Sequence, residues 1–289
     1  MQTTSDLTEL AAQIAVAEHQ VPNLRPGCEK RIIWAGEKGA QTDVALVYLH
    51  GFSASPEEIR PVPDLVANAM GANLFYARLT GHGQNGIALG AARLEDWIAD
   101  TKEAIEICAA LGRKVIVMGC STGCTLMTIA GVQGAQVDGY IHVSANFGMR
   151  HRVLQWVLDL PGARQWGPWI SGFNRHFDPI SDAHSAYWTT DYPTQAVFTM
   201  AETVRAARAG DPATIQAPAL FVYCAEDRVV NPSDIKRVMA AWGGDVREHI
   251  VTLGAGDDAN AHIIAGDVFS PSQTASTADV MIRWAQENV

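Results

Sequence analysis

The chain has 289 residues, enough for one large α/β domain or two small ones. It is 48% hydrophobic with a formal net charge of −10, so we expect no nucleic-acid partner, which would need a basic face. No apolar run approaches the roughly 20 residues that span a bilayer. Residues 1–6 lack the basic-then-apolar order of a signal peptide. Five cysteines, an odd number without regular spacing, are typical of a reducing compartment, and we expect a cytoplasmic protein.

The hydrophobic pattern predicts helices and strands that alternate along most of the chain. In chain order these are a helix over 7–18, strands over 31–34 and 44–49, a helix over 57–70, a strand over 73–77, a helix over 91–111, a strand over 114–118, a helix over 122–130, strands over 139–144 and 219–224, a helix over 233–242, a strand over 248–253 and a helix over 277–288. This alternation indicates an α/β fold with a mainly parallel sheet and helices on both faces.

Residues 147–211 break the alternation, because they contain no clear buried strand and several prolines divide them. We predict a short helical cap, inserted into a core formed by 1–146 and 212–289 and lying over the carboxyl edge of the sheet. Most of its aromatic side chains should fill the cap's own small core, and a minority should line a pocket. These aromatic residues are Trp156, Trp166, Phe173, Phe177, Tyr187, Tyr192, Phe198, Trp169 and Trp188.

The run Gly119-Cys120-Ser121-Thr122-Gly123 joins a β-branched strand to a helix-compatible segment. This is the context of a nucleophile elbow, in which a tight strand-to-helix turn exposes the serine hydroxyl. The two glycines remove Cβ atoms that would collide in the turn, and the following helix directs free N–H groups at the same point. The context predicts a nucleophilic Ser121; an ordinary Gly/Ser turn is the alternative. We expect the neighbouring cysteines to be small apolar filler rather than metal ligands.

A serine hydroxyl needs a base to accept its proton, and the base needs an orienting acid. In an open α/β sheet such groups lie on loops after the carboxyl ends of strands. Asp227 follows the sixth predicted strand, with Glu226 as the adjacent alternative. Of nine histidines, only His262 follows both the serine and the acid and lies after a strand end, whereas His249 lies inside a strand. The resulting order of serine, acid and histidine is the one expected for this architecture.

The second predicted strand ends in His50-Gly51-Phe52, which we name the oxyanion turn. A tetrahedral oxyanion needs two N–H donors. The backbone N–H groups of Phe52 and Thr122 are the predicted pair. His50 is expected to be structural, since it lies at the base of this turn.

Together, these motifs resemble those of α/β-hydrolase-fold serine hydrolases. The oxyanion turn, the elbow, the run 78–83 (Arg-Leu-Thr-Gly-His-Gly) and the run 227–230 (Asp-Arg-Val-Val) carry the resemblance, which extends from about residue 44 to the C-terminus, excluding the cap. The chain is most similar to small carboxylesterases and monoacylglycerol-lipase-like enzymes. It departs from them at Cys120 and Thr122, where such enzymes often have other small or apolar residues. His82 is expected to brace the oxyanion turn.

The resemblance implies hydrolysis of carboxylic esters with apolar, short-to-medium acyl or alcohol groups through an acyl-enzyme, with no metal or organic cofactor. The expected partner is a small apolar ester. The same residues also serve thioester, lactone, amide or C–C bond hydrolysis and acyl transfer, and a non-catalytic binding protein of this fold is a further alternative. A monomer and a homodimer both remain open.

Overall fold

A computed structural model of the chain describes residues 4–160 and 162–289. Residues 1–3, part of the segment where no signal peptide is expected, lie outside that description. The strands are β1 Arg31–Ile33, β2 Thr42–Leu49, β3 Asn73–Tyr76, β4 Gly112–Cys120, β5 Gly139–Val143, β6 Asn174–His176, β7 Asp191–Pro193, β8 Ala219–Tyr223 and β9 Val246–Ile250. The helices are α1 Thr4–His19, α2 Val62–Met70, α3 Gly86–Ala91, α4 Leu94–Leu111, α5 Thr122–Val132, α6 Arg152–Asp159, α7 Ala163–Ser171, α8 Asp182–Tyr187, α9 Gln195–Ala209, α10 Pro232–Ala241 and α11 Thr274–Asn288.

Seven strands form one sheet in the order β1-β3-β2-β4-β5-β8-β9, in which only β1 is antiparallel to its neighbour. Successive side chains of β2 point to opposite faces, as a pleated strand requires. Val47 and Leu49 pack with the layer of α1, α4, α5 and α10, whereas Leu46 and Tyr48 pack with that of α2 and α11. The predicted α/β fold, with a mainly parallel sheet and helices on both faces, is confirmed.

Several element boundaries differ from those that the hydrophobic pattern predicts. Helix α2 begins at Val62 rather than at 57, because Pro61 would lack an N–H donor and would clash inside a helix. The predicted helix over 91–111 begins three residues later, as α4, because Arg93 is extended and its N–H donates to the Asp96 carboxylate (2.8 Å), which caps α4. The short helix α3, which precedes this break, was not predicted. Strand β4 is longer at both ends than predicted, and β9 lies two to three residues earlier, where β8 offers a partner.

The insertion at 147–211 contains four helices and an antiparallel ribbon of β6 and β7 that the sequence did not predict. Each strand has three largely polar residues, and β7 includes Pro193. Neither strand therefore shows the alternation of apolar and polar residues that predicts a strand. Helix α9 contacts α3, α4 and α5 of the core as well as α6 and α7. The division into a core and a cap at residues 147 and 211 therefore stays a prediction.

Six aromatic residues of the insertion fall into a buried and an exposed group, while Trp166, Phe177 and Tyr187 are half-buried. Trp188, Tyr192 and Phe198 are buried, and Phe198 packs among Leu158 and neighbouring alanines. The other group projects into solvent and cannot fill the insertion's own core. Its members are Trp156, Trp169 and Phe173, with exposures of 63%, 79% and 52%.

His142 of β5 is buried in an aromatic cluster, stacked on Phe221 with ring centroids 4.2 Å apart and beside Trp242. Neither of its ring nitrogens has a hydrogen-bond partner in the described part of the chain. Burial lowers the pKa of His142 to about 3, so this imidazole is neutral in the folded protein at any physiological pH.

We predict that His142 makes the protein sensitive to acid. Its folded pKa lies below the ordinary value of 6.5, so the unfolded chain binds a proton first and stability falls as the pH drops below 6.5. One such proton amounts to about 2 kcal/mol between pH 7 and pH 5. We expect urea unfolding at pH 7 and pH 5 to show a smaller decrease in the free energy of unfolding for His142→Phe than for the wild type. The difference between the two decreases should be that amount. Equal losses in the two proteins would contradict the prediction.

Candidate active site

Ser121 lies between β4 and α5 with φ at +49°, a left-handed conformation that residues other than glycine rarely adopt. The turn is possible because residue 123 is glycine. A Cβ at this position would overlap the carbonyl oxygen of Leu49 in the neighbouring strand. The Ser121 N–H donates to the Val143 carbonyl (2.9 Å), and its own carbonyl accepts from the Asn146 N–H (3.1 Å). The backbone of Ser121 is thus held from both sides.

The structure brings together the three side chains that the sequence predicts as a catalytic group. His262 Nε2 lies 3.1 Å from Ser121 Oγ, and His262 Nδ1 lies 2.8 Å from Asp227 Oδ2. Asp227 is fully buried, and its Oδ1 accepts the N–H groups of Val229 and Val230 at 2.8 and 2.9 Å. The alternatives lie elsewhere: Glu226 is exposed, and His249 belongs to β9.

The surroundings of His262 favour its protonated form. Burial lowers its pKa, but the charge and hydrogen bond of Asp227, together with the charges of Glu58 and Asp258, outweigh burial and raise the pKa above its ordinary value. In the neutral form, the hydrogen bond from Nδ1–H to Asp227 leaves the lone pair of Nε2 directed at the Ser121 hydroxyl. This tautomer can accept the hydroxyl proton.

Asp258 holds the loop that carries His262, a role that sequence reasoning missed. Its Oδ2 accepts the N–H groups of His262 and Ile263, both at 2.9 Å, and its Oδ1 accepts that of Asn260 at 3.0 Å. The only available signal was the Asp-Ala-Asn run, since such residues often form turns through their own side chains.

The oxyanion turn runs close against Ser121. A Cβ on Gly51 would lie 3.1 Å from the Ser121 Cβ, a tight contact that glycine avoids. Thr122 is the first residue of α5, and its N–H is therefore one of the four that lack an acceptor within a helix. The predicted donors, Phe52 N–H and Thr122 N–H, thus belong to residues next to Gly51 and next to Ser121; their role in binding an oxyanion stays a prediction.

His50 holds the oxyanion turn through hydrogen bonds of its ring. Its Nε2 accepts the Leu79 N–H (3.1 Å), so Nδ1 carries the proton and donates to the Gly51 carbonyl (2.9 Å). Burial lowers the pKa of His50 to about 4, which keeps it neutral. The ring of His82 lies 4.8 Å from that of His50 and 6.3 Å from that of Phe52, in the bracing position that the resemblance implies.

Residues of the insertion contact the chain segments that follow β2, β8 and β9. Ser121 and His262 are only 6% and 8% exposed. The contacts are the Thr189 N–H to the Ser53 carbonyl (2.7 Å), the Arg150 N–H to the Val229 carbonyl (2.9 Å), and the ring of Trp188 against that of Phe269 (5.2 Å).

The five cysteines are buried free thiols, and Cys124 Sγ donates to the Gly119 carbonyl (2.9 Å) beneath the elbow. Within residues 4–160 and 162–289, no cluster of three or more histidine, cysteine, aspartate and glutamate side chains could hold a metal ion. None of the helices in this part of the chain is both long and apolar enough to cross a membrane.

Comparison with known proteins agrees with this geometry. Residues 46–268 match the model of the alpha/beta hydrolase family. The chain belongs to this family. The predicted resemblance to carboxylesterases and monoacylglycerol-lipase-like enzymes is confirmed as well.

Three similar proteins illustrate the relationship. A thermostable monoacylglycerol lipase from Bacillus sp. (strain H-257) is 25% identical to this α/β-hydrolase over 225 residues, which cover 73% of the chain and 84% of the relative. A structure from work on LipS and LipT, two metagenome-derived lipolytic enzymes, superposes with a TM-score of 0.73 at 19% identity and covers 91% of this chain and 99% of its own. A soluble variant of the monoglyceride lipase from Saccharomyces cerevisiae superposes with a TM-score of 0.65 at 12% identity, covering 93% and 96%.

Proposed function

We propose that this α/β-hydrolase is a serine hydrolase that cleaves carboxylic esters through an acyl-enzyme. One observation carries the proposal: hydrogen-bond contacts run without interruption from Asp227 through His262 to the hydroxyl of Ser121. The similarity to a monoacylglycerol lipase and to lipolytic enzymes supports an ester as the bond that is cleaved.

In the proposed mechanism, His262 accepts the proton of Ser121 as the hydroxyl attacks the substrate carbonyl. Asp227 keeps the imidazole in the required tautomer and stabilises its charged form. The N–H groups of Phe52 and Thr122 bind the tetrahedral oxyanion. His262 then protonates the leaving alcohol and afterwards activates the water that releases the acid. The protein groups that act in these steps are the three side chains and the two backbone N–H groups.

We further propose that residues 147–211 form a cap that selects an apolar acyl or alcohol group of short to medium length. The Phe52 ring lies 5.3 Å from that of Tyr192, which comes from the ribbon strand β7. Phe177, Met149 and Met200 belong to the same apolar cluster. A small ester with an apolar chain is therefore the proposed partner.

The odd number of cysteines, all of them free, favours the cytoplasm as the proposed location.

The proposed function predicts that Ser121→Ala abolishes the hydrolysis of p-nitrophenyl esters while the protein remains folded. Because the variant lacks the nucleophile, kcat should fall by at least about 10³-fold. Ser276→Ala, at an exposed position of α11, is the matched control and should keep full activity. Esters, thioesters, lactones and amides assayed in parallel should show esters as the preferred class. Full ester hydrolysis by folded Ser121→Ala would contradict the proposal.

The proposed cap predicts that Tyr192→Ala changes the preference for acyl-chain length. Removing this ring opens space beside Phe52, so kcat/KM for longer acyl chains should rise by about tenfold relative to short ones. Trp169→Ala, which trims an aromatic of the same insertion that is 79% exposed, should leave the preference as in the wild type. A series of p-nitrophenyl esters from acetate to decanoate measures both. The same chain-length profile in all three proteins would exclude Tyr192 from substrate selection.

A further inference from the structure

A second carboxylate lies buried beside the proposed catalytic group. Glu58 is 2% exposed, and its Oε2 accepts the Gly51 N–H (2.7 Å) and the Tyr48 hydroxyl (2.9 Å). Among the described residues, no arginine or lysine pairs with it. A buried carboxylate without a basic partner is costly to fold, because it loses its hydration without a compensating charge. A contribution to stability therefore does not explain why a carboxylate is buried here.

The Glu58 carboxylate and Ser121 lie on the same side of Gly51. The position that a Cβ on Gly51 would occupy is 2.6 Å from Glu58 Oε1 and 3.1 Å from the Ser121 Cβ. The titratable groups that interact with Glu58 are Tyr48 from β2, Cys120 from the end of β4, Cys124 from α5 and His262 from its loop. Of these, His262 is the one that gains a positive charge in the proposed mechanism.

We propose that Glu58 is a positioning residue of this active site, which fixes the oxyanion turn through Gly51 and supplies a further negative charge near His262. The proposal rests on the proposed serine-hydrolase function. It concerns residues that the catalytic triad does not include, and it assigns Glu58 no contact with substrate.

The first part of the proposal follows from the peptide units on either side of Gly51. The Gly51 N–H is held by Glu58, and the Gly51 carbonyl is held by Nδ1–H of His50 (2.9 Å). Because a trans peptide is planar, its C=O and N–H point in opposite directions. Binding the Gly51 carbonyl therefore directs the Phe52 N–H to the other side, and binding the Gly51 N–H stops the turn from rotating. Glu58 and His50 together fix one proposed oxyanion donor.

The second part concerns the charge on His262. When it accepts the serine proton, the imidazolium faces three carboxylates: Asp227, Glu58 and Asp258, each of which raises the pKa of His262. Burial raises the pKa of Glu58 itself, against the opposing effects of Gly51 N–H, the Tyr48 hydroxyl and the charge of His262. Removing the charge of Glu58 should thus lower the pKa of His262, so that the neutral base persists to lower pH.

The test compares Glu58→Ala and Glu58→Gln with the control Glu57→Gln, whose carboxylate pairs with Arg31 and Arg60. Glu58→Ala should lower kcat at least tenfold with KM changed less than about threefold, since a misplaced oxyanion donor acts on the transition state. Its affinity for a trifluoromethyl ketone, which forms an oxyanion in the site, should fall in proportion. Glu58→Gln keeps an acceptor but no charge, so the acid limb of its pH–kcat/KM profile should shift to lower pH. Glu57→Gln should match the wild type.

The outcomes separate this proposal from the proposed function. The role of Glu58 would be overturned if both Glu58 variants kept the wild-type kcat, ketone affinity and acid limb. In that case an inactive Ser121→Ala would still support the serine-hydrolase function. An active Ser121→Ala would overturn both. If Glu58→Ala does not fold, as circular dichroism would reveal, Glu58→Gln decides the question alone, and an unmoved acid limb would overturn the proposal.

Discussion

The site depends on one backbone constraint, the left-handed turn at Ser121. A non-glycine residue in this conformation stores strain, so it persists only where its surroundings hold it. Parallel pairing supplies that hold: β5 accepts the Ser121 N–H on one side, and on the other β2 passes so close that residue 123 must be glycine. The oxyanion turn follows β2 directly. The pairing of β2 with β4, the strand that ends at the serine, therefore also places this turn beside Ser121.

Charge is the second organising feature, because three carboxylates surround one imidazole. Asp227 hydrogen-bonds to the ring of His262, Asp258 accepts its backbone N–H, and the charge of Glu58 also acts on the imidazole. Burial opposes the positive form of His262, yet the sum of these carboxylates raises its pKa. The two histidines at the oxyanion turn, His50 and His82, differ: burial is the largest influence on each and lowers the pKa of both. Neutral histidines therefore brace the oxyanion turn, while a histidine that readily becomes charged faces Ser121.

The predictable and unpredictable parts of this protein differ in a physical way. The sheet and the three proposed catalytic side chains follow from strand order, since groups at the carboxyl ends of parallel strands meet at one edge. The roles of Glu58 and Asp258 depend on how tight turns fold back, which no periodicity encodes. The break at Arg93 depends on a single cap, and the ribbon of β6 and β7 on pairing between short polar segments. Which aromatic residues of the insertion are buried depends on how its helices pack, so sequence could not separate Tyr192 from Trp169.

The most direct measurement is mass spectrometry of the protein after reaction with a fluorophosphonate, with the adduct located by peptide mapping. A serine activated by His262 and flanked by oxyanion donors attacks phosphorus, whereas ordinary serines do not. The account predicts one adduct per chain, on Ser121, and none after replacing His262 with alanine. An unlabelled protein, or an adduct on another residue with Ser121 unmodified, would contradict it.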